Sequence, residues 1–300
     1  MTIDIDFLLH NPPRFGLQVS SQSCTFDDLH AAWRTADDAS FDHVWVSDHL
    51  QPVGGAPLDG PIWEAWMLVA AAAATTRRVR LGTMVTANTY RHPGVLAKMA
   101  ATVDHLSGGR LEFGIGAGWS APEHRMLGID FPGAGERVRR LDEACSVVEL
   151  LWTRSRVDFD GRHYRLQGAI AEPKPVQRPH PPIWIGGFRP QILAVVARHA
   201  NVWTLPAMAL AGACDLQESL GAARRLSQVL DDRCTAIGRD PTTIRRAVHI
   251  DVDVTGVDSS LRAADGFRAA GVHELIIEVR GIDVGPGAAR AALIVDRLRS

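Results

Sequence analysis

Short apolar runs alternate with amphipathic helical runs along the whole chain, and this rhythm limits the available folds more than any other feature. The strand-like runs are Arg14–Ser20, His43–Ser47, Val79–Thr86, Arg110–Gly116, Ile183–Gly186, Asn201–Leu205, Ile244–Val254 and His273–Val279. A helical pattern capped by Thr25 or Asp27 runs through Ala39. Others follow at Ile62–Thr75, Pro93–Leu106, Glu136–Trp152, Gln191–His199, Asp215–Ile237, Ser259–Ala270 and Ala288–Leu298. Short apolar strands interleaved with helices indicate βα crossovers and a parallel sheet covered on both faces. Eight such units predict an α/β fold, a (β/α)8 TIM barrel, with 300 residues sufficing for one domain plus an insertion. The insertion falls between strands four and five at Thr153–Pro182, a polar stretch with five prolines. An open doubly wound sheet would place a glycine fingerprint after the first strand, and none follows Ser20.

Composition narrows the function classes. Basic minus acidic residues is 32 − 34 = −2, which argues against a nucleic-acid binder, whose surface needs a cationic excess. Cys24, Cys145, Cys214 and Cys234 are far apart with no CxxC, so they read as thiols of a reducing compartment, and no metal site is expected. The start of the chain lacks the basic region of a secretory signal. The most apolar stretch, Trp63–Thr76, is too short to span a bilayer. A cytoplasmic protein without membrane partners is expected.

In a barrel of this type the chemistry sits at the C-terminal strand ends. Those positions hold Gln18 and Ser20; Ser47-Asp48-His49; Met84 to Asn88; Gly114 to Ser120; Gly186 to Arg189; Trp203 to Pro206; His249 to Asp253; and Arg280-Gly281. Gly114-x-Gly116-x-Gly118 is followed by Trp119, so it does not continue into a dinucleotide loop. Small residues there suit a strand exit approached by another backbone or by a flat ligand. Gly186-Gly187 before a helix reads as an anion seat or as a tight turn. Asp48-His49 pairs an imidazole with a carboxylate at a strand end, suited to proton exchange near neutral pH. Trp119 and Trp203 read as packing residues or as stacking walls of a pocket that also contains Gln18.

These residues in this order resemble the luciferase-like flavin and deazaflavin oxidoreductases, most closely the branch that uses coenzyme F420. The resemblance is carried by FGLQ (Phe15–Gln18), VWVSDHL (Val44–Leu50), the long run Arg78–Trp119, GERVRRLDEA (Gly135–Ala144), FDGRHY (Phe159–Tyr164), PKPVQRPHPPIWIGG (Pro173–Gly187) and AGVHELII (Ala270–Ile277). It implies a cofactor across the barrel mouth, with Asp48 contacting it and His49 facing substrate. It also implies a non-prolyl cis peptide at Met84-Val85 behind the ring. Ala87, Ala117, Gly118 and Ser120 would line the ring and its side chain, and Gly186-Gly187 the phosphate. Members resembling this chain are commonly homodimers. Two departures tell against a sugar-phosphate substrate: Trp119 stands where that branch has a catalytic Glu, and Lys98 and Lys174 are the only lysines. The resulting expectation is hydride transfer between reduced F420 and a small apolar, aromatic or unsaturated substrate, the cofactor carrying the chemistry. The alternatives are an FMN-dependent monooxygenase using O2 with a partner flavin reductase, and a non-catalytic flavin- or deazaflavin-binding protein.

Overall fold

The computed structural model describes residues 13–206, 209–210, 215–251, 257–279 and 284–300. Parallel strands β1 (Arg14–Val19), β2 (His43–Val46) and β3 (Arg80–Thr83) are followed by the two-residue strand β4 (Thr86–Ala87) and by β5 (Leu111–Gly116). The antiparallel hairpin β6 (Val157–Asp160) and β7 (Arg165–Ala169) precedes β8 (Ile183–Gly186), β9 (Val202–Leu205), β10 (Arg245–Asp251) and β11 (Glu274–Val279). Helices α1 (Phe26–Asp38), α2 (Ala65–Thr75), α3 (Pro93–Leu106), α4 (Ala121–Leu127), α5 (Ala134–Thr153), α6 (Pro190–His199), α7 (Leu216–Ala236), α8 (Val257–Ala269) and α9 (Val284–Arg299) connect them. The sheet runs β3-β2-β1-β11-β10-β9-β8-β5, and β3 pairs back onto β5, so it closes into the expected eight-stranded barrel. The insertion is more ordered than its polar composition suggests. It folds as the β6–β7 hairpin, whose turn amides at Arg162, His163 and Tyr164 donate to Glu143 of α5.

Closure of the ring depends on two glycines. A Cβ on Gly82 would lie 2.0 Å from the Glu112 carbonyl, and one on Gly114 would lie 1.9 Å from the Thr83 carbonyl. Only hydrogen fits between the backbones there. The third strand predicted from sequence is divided at this seam: β3 ends at Thr83, a cis peptide joins Met84 to Val85, and β4 resumes at Thr86.

Inside the ring, side chains alternate in layers. The base holds Glu112 and Glu274, both buried. His43 accepts the Trp45 indole N–H at Nδ1 (2.6 Å), so its Nε2–H donates to Glu274 (2.8 Å). Arg245 reaches the same carboxylate at 2.8 Å. Burial pushes the Glu274 carboxyl up, but His43, Arg245 and Arg14 together hold it below the usual range. Above this layer Trp45 and Trp184 pack edge to face, with centroids 4.5 Å apart. Both rings are fully buried. The floor is therefore filled, so among the described residues the barrel lumen is open only toward the C-terminal mouth.

Gly114→Ala is expected to cost about 3 kcal/mol, the upper end for forcing an extra carbon into a packed site. Chemical denaturation should show the drop, whereas Gly133→Ala, where nothing lies within 4 Å of the added carbon, should leave the midpoint unchanged.

Candidate active site

The cis Met84-Val85 peptide lifts Val85 over the barrel floor. Its methyl groups lie 3.2, 2.8 and 3.5 Å from the positions of Cβ atoms that Gly114, Gly116 and Gly186 lack. Two neighbouring strands, β5 at Gly114 and Gly116 and β8 at Gly186, are thus pared to backbone around one branched side chain, making a flat seat. Gly118 (φ 75) turns the chain toward Thr89, where a Cβ would meet the hydroxyl at 2.7 Å. Ala87 is buried and Ala117 half-buried at the edge of this seat.

Asp48, 3% exposed, faces inward beside the seat. Arg91 grips it with two hydrogen bonds (2.7 and 3.0 Å), and the Ala87 amide donates to it at 3.0 Å. Burial pushes the Asp48 carboxyl up, against the pull of Arg91. The carboxylate expected to contact a cofactor is thus engaged in pinning the strand-end bulge. His49 projects beside it, with its ring edge-on to Trp119 at 5.4 Å. Trp119 is 56% exposed and stands open at the mouth.

His49 has a partner that sequence reading missed. Glu123 of α4 takes His49 Nδ1 on one carboxylate oxygen (2.9 Å) and the amides of Leu50 (2.7 Å) and Gln51 (3.3 Å) on the other. Burial would raise its carboxyl, but hydrogen bonding and charge from His49, with help from the Leu50 amide and the Ser120 hydroxyl, bring it down to about 2. The signal was present in the spacing: Ser120-Ala-Pro-Glu123 is the S-x-x-E pattern of a helix start, with proline in the first turn. Ser120 is buried at that start, and the adjacent His124 is tied to the Ser120 carbonyl and the Thr89 hydroxyl.

Two other expectations change. Gly186 faces inward against Thr204, so Trp203 points the opposite way. Its ring is 1% exposed in the helix-side core, its indole N–H donating to the Gly187 carbonyl at 2.7 Å; it forms no wall of the mouth. Gly187 (φ 138) uses its own amide in a 3.3 Å bond to the Thr204 carbonyl, so this amide is not a free anion donor. The cap residue of α6, Arg189, makes no side-chain capping bond, so any anion seat lies at the first turn of α6.

The opposite half of the mouth is polar. Gln18 is buried, and its Oε1 has no hydrogen-bond partner among the described residues; on the seat's own side the same holds for Oδ1 of Asn88, whose amide nitrogen donates to the Tyr164 hydroxyl at 3.2 Å. The Thr204 hydroxyl lies 3.3 Å from His249 Nε2, and Glu278 lies 3.7 Å from the other ring nitrogen. A cavity of about 440 Å³ adjoins His249, between the N-terminal turns of α7 and α8, with Leu210, Leu216, Ile250 and Phe267 in its walls. Residues 252–253, Arg280-Gly281 and Cys214 lie outside the described residues. Among the described residues no cluster of three His, Cys, Asp or Glu side chains could hold a metal, and no helix is long and apolar enough to cross a membrane.

The family model of the luciferase-like monooxygenases matches residues 5–272. The chain belongs to that family. An F420-dependent glucose-6-phosphate dehydrogenase from Microbacterium testaceum is 37% identical over 195 residues, 63% of this chain and 55% of that protein. The chain therefore spans about half the length of such relatives. An F420-dependent hydroxymycolic acid dehydrogenase from Mycobacterium tuberculosis is 30% identical over 254 residues, 84% of this chain and 66% of that one. An F420-dependent secondary alcohol dehydrogenase, solved with an F420-acetone adduct, shares the fold. Its TM-score is 0.82 at 19% identity, covering 96% of this chain and 99% of that one.

Glu123 gives this luciferase-like barrel an acid-sensitive site. Its folded carboxyl titrates near 2 against an ordinary value of 4.5, so its stabilisation is complete above about 4.5 and is lost as pH falls toward 2. Thermal unfolding of wild type and Glu123→Gln should differ most at neutral pH, with the gap closing below pH ~4.

Proposed function

We propose that the protein is a coenzyme F420-dependent oxidoreductase acting on a small apolar, aromatic or unsaturated substrate. The observation that carries this reading is a glycine-walled seat over Val85 with His49 on its rim. A planar ring can lie on Val85, whose methyl groups fill the space beside Gly116 and Gly186 with no larger side chain rising from those positions. The residues present also suit the ring's polar edge, since Gln18 and Asn88 offer buried acceptor atoms that lack partners among the described residues. A phosphate-bearing tail would lie at the first turn of α6, where helix amides and Arg189 favour an anion. Bound deazaflavin supplies or accepts the hydride. His49 would move the accompanying proton, and Trp119 would wall the substrate side. Asp48 would act by fixing the Ala87 bulge beside the ring. The family membership and the F420 dependence of the relatives support deazaflavin over FMN.

A sugar-phosphate substrate is disfavoured even though the relatives include glucose-6-phosphate dehydrogenases. Both lysines are committed outside the mouth. Lys98 donates to the Glu172 carbonyl, and Lys174 donates to the carbonyls of Leu151 (2.9 Å), Arg154 (2.6 Å) and Ala171 (3.2 Å). They tie the insertion to the barrel wall.

Titration of F420 and of FMN, followed by fluorescence, tests the cofactor. F420 should bind with a micromolar or lower Kd, and Gly186→Val should weaken it at least tenfold by filling the seat. Tight FMN binding with no F420 binding would overturn the reading in favour of the monooxygenase. With F420 and an accepted substrate, His49→Ala should lower kcat by about 10²-fold or more, the usual worth of a positioned proton donor, while cofactor Kd stays within a few-fold.

A further inference from the structure

We propose that Glu123 is a positioning residue that fixes His49 as its Nδ1–H tautomer, so that Nε2 alone exchanges protons at the mouth. Its catalytic consequence rests on the role proposed for His49, but the tautomer itself does not.

The inference follows from counting donors and acceptors. Glu123 is 1% exposed, and one of its oxygens receives the amides of Leu50 (2.7 Å) and Gln51 (3.3 Å). Those groups can only donate, so the oxygen they share must accept. The other oxygen lies 2.9 Å from His49 Nδ1. An ionised carboxylate has no hydrogen to give, so the proton in that contact belongs to the imidazole. The hydroxyls of Ser120 and Tyr90 also reach this carboxylate, and both can donate to it. Every neighbour therefore feeds a hydrogen into Glu123. With Nδ1 committed, Nε2 points away from Glu123, and it has no partner among the described residues; Trp119 covers the ring edge-on at 5.4 Å. The same logic operates at the barrel base with the opposite outcome, where an indole N–H forces His43 Nδ1 to accept and puts the hydrogen on Nε2.

The substitution Glu123→Gln separates positioning from packing, because the amide matches the carboxylate in shape. The two backbone donors would claim the amide oxygen, which turns the NH2 group toward His49 Nδ1. That nitrogen must then accept, and the hydrogen moves to Nε2. In Ser-His-Asp triads the equivalent carboxylate-to-amide change drops kcat by about 10⁴ by holding the wrong tautomer.

The test is ¹⁵N-histidine NMR on the cofactor-free protein, with His49 assigned by the signals lost in His49→Gln. Wild type should show a protonated Nδ1 and a bare Nε2 above the imidazole's titration, and Glu123→Gln should show the reverse. In F420-loaded enzyme Glu123→Gln should lower kcat at least 10²-fold, with substrate KM changed less than threefold. A wild-type His49 carrying its hydrogen on Nε2 would overturn the proposal, as would a variant that keeps the wild-type tautomer. If Glu123→Gln does not fold, the wild-type spectrum alone decides. If F420 fails to bind while the tautomers behave as stated, the cofactor reading falls and the positioning claim stands.

Discussion

The seam between β3 and β5 governs the rest of the structure. At Gly82 and Gly114 the two backbones come so close that no side chain fits between them, and there the ring of strands closes. The chain leaves this seam through Met84-Val85 and turns Val85 inward over a floor already filled by Trp45 and Trp184. Glycines at 114, 116 and 186 leave the space around Val85 free of side chains. The seat that a flat cofactor would occupy is thus a by-product of how the barrel shuts.

Charge is divided between the two ends of the barrel. At the base, Glu112 and Glu274 are buried, Glu112 held by the Trp184 indole and Glu274 by His43, and partly exposed arginines close over both, an arrangement that anchors strands. At the mouth, the Asp48–Arg91 pair pins the bulge, while Glu123, 74 residues along the chain, hydrogen-bonds His49. The mouth carboxylates are both engaged with their neighbours, and the imidazole proposed to move the proton is the side chain left facing outward from them.

The barrel was legible in the sequence because strand and helix periods differ, and eight alternations leave few topologies. The insertion's hairpin was not, since its strands are short and mostly polar, and the few apolar side chains that seat it on the core, Val157, Phe159 and Leu166, are too sparse to mark a strand pair. Helix α4 escaped because seven residues carry too little apolar periodicity, although Ser120 and Pro122 marked its start. Trp203 shows the weakness of reading strand ends by position alone. A shift of one residue moves a side chain from the lumen to the helix layer, and register comes from pairing that the sequence does not display. Gly187 illustrates the same limit, because its amide belongs to the strand ladder and not to the helix start.

A crystal structure with oxidised F420 bound is the most direct test of the site. The deazaflavin ring should lie over Val85 against Gly116 and Gly186, its phosphate at the first turn of α6 and its hydride-accepting carbon open toward His49. A ring bound elsewhere, such as in the cavity between α7 and α8, or seated with that carbon turned away from His49, would contradict the assignment.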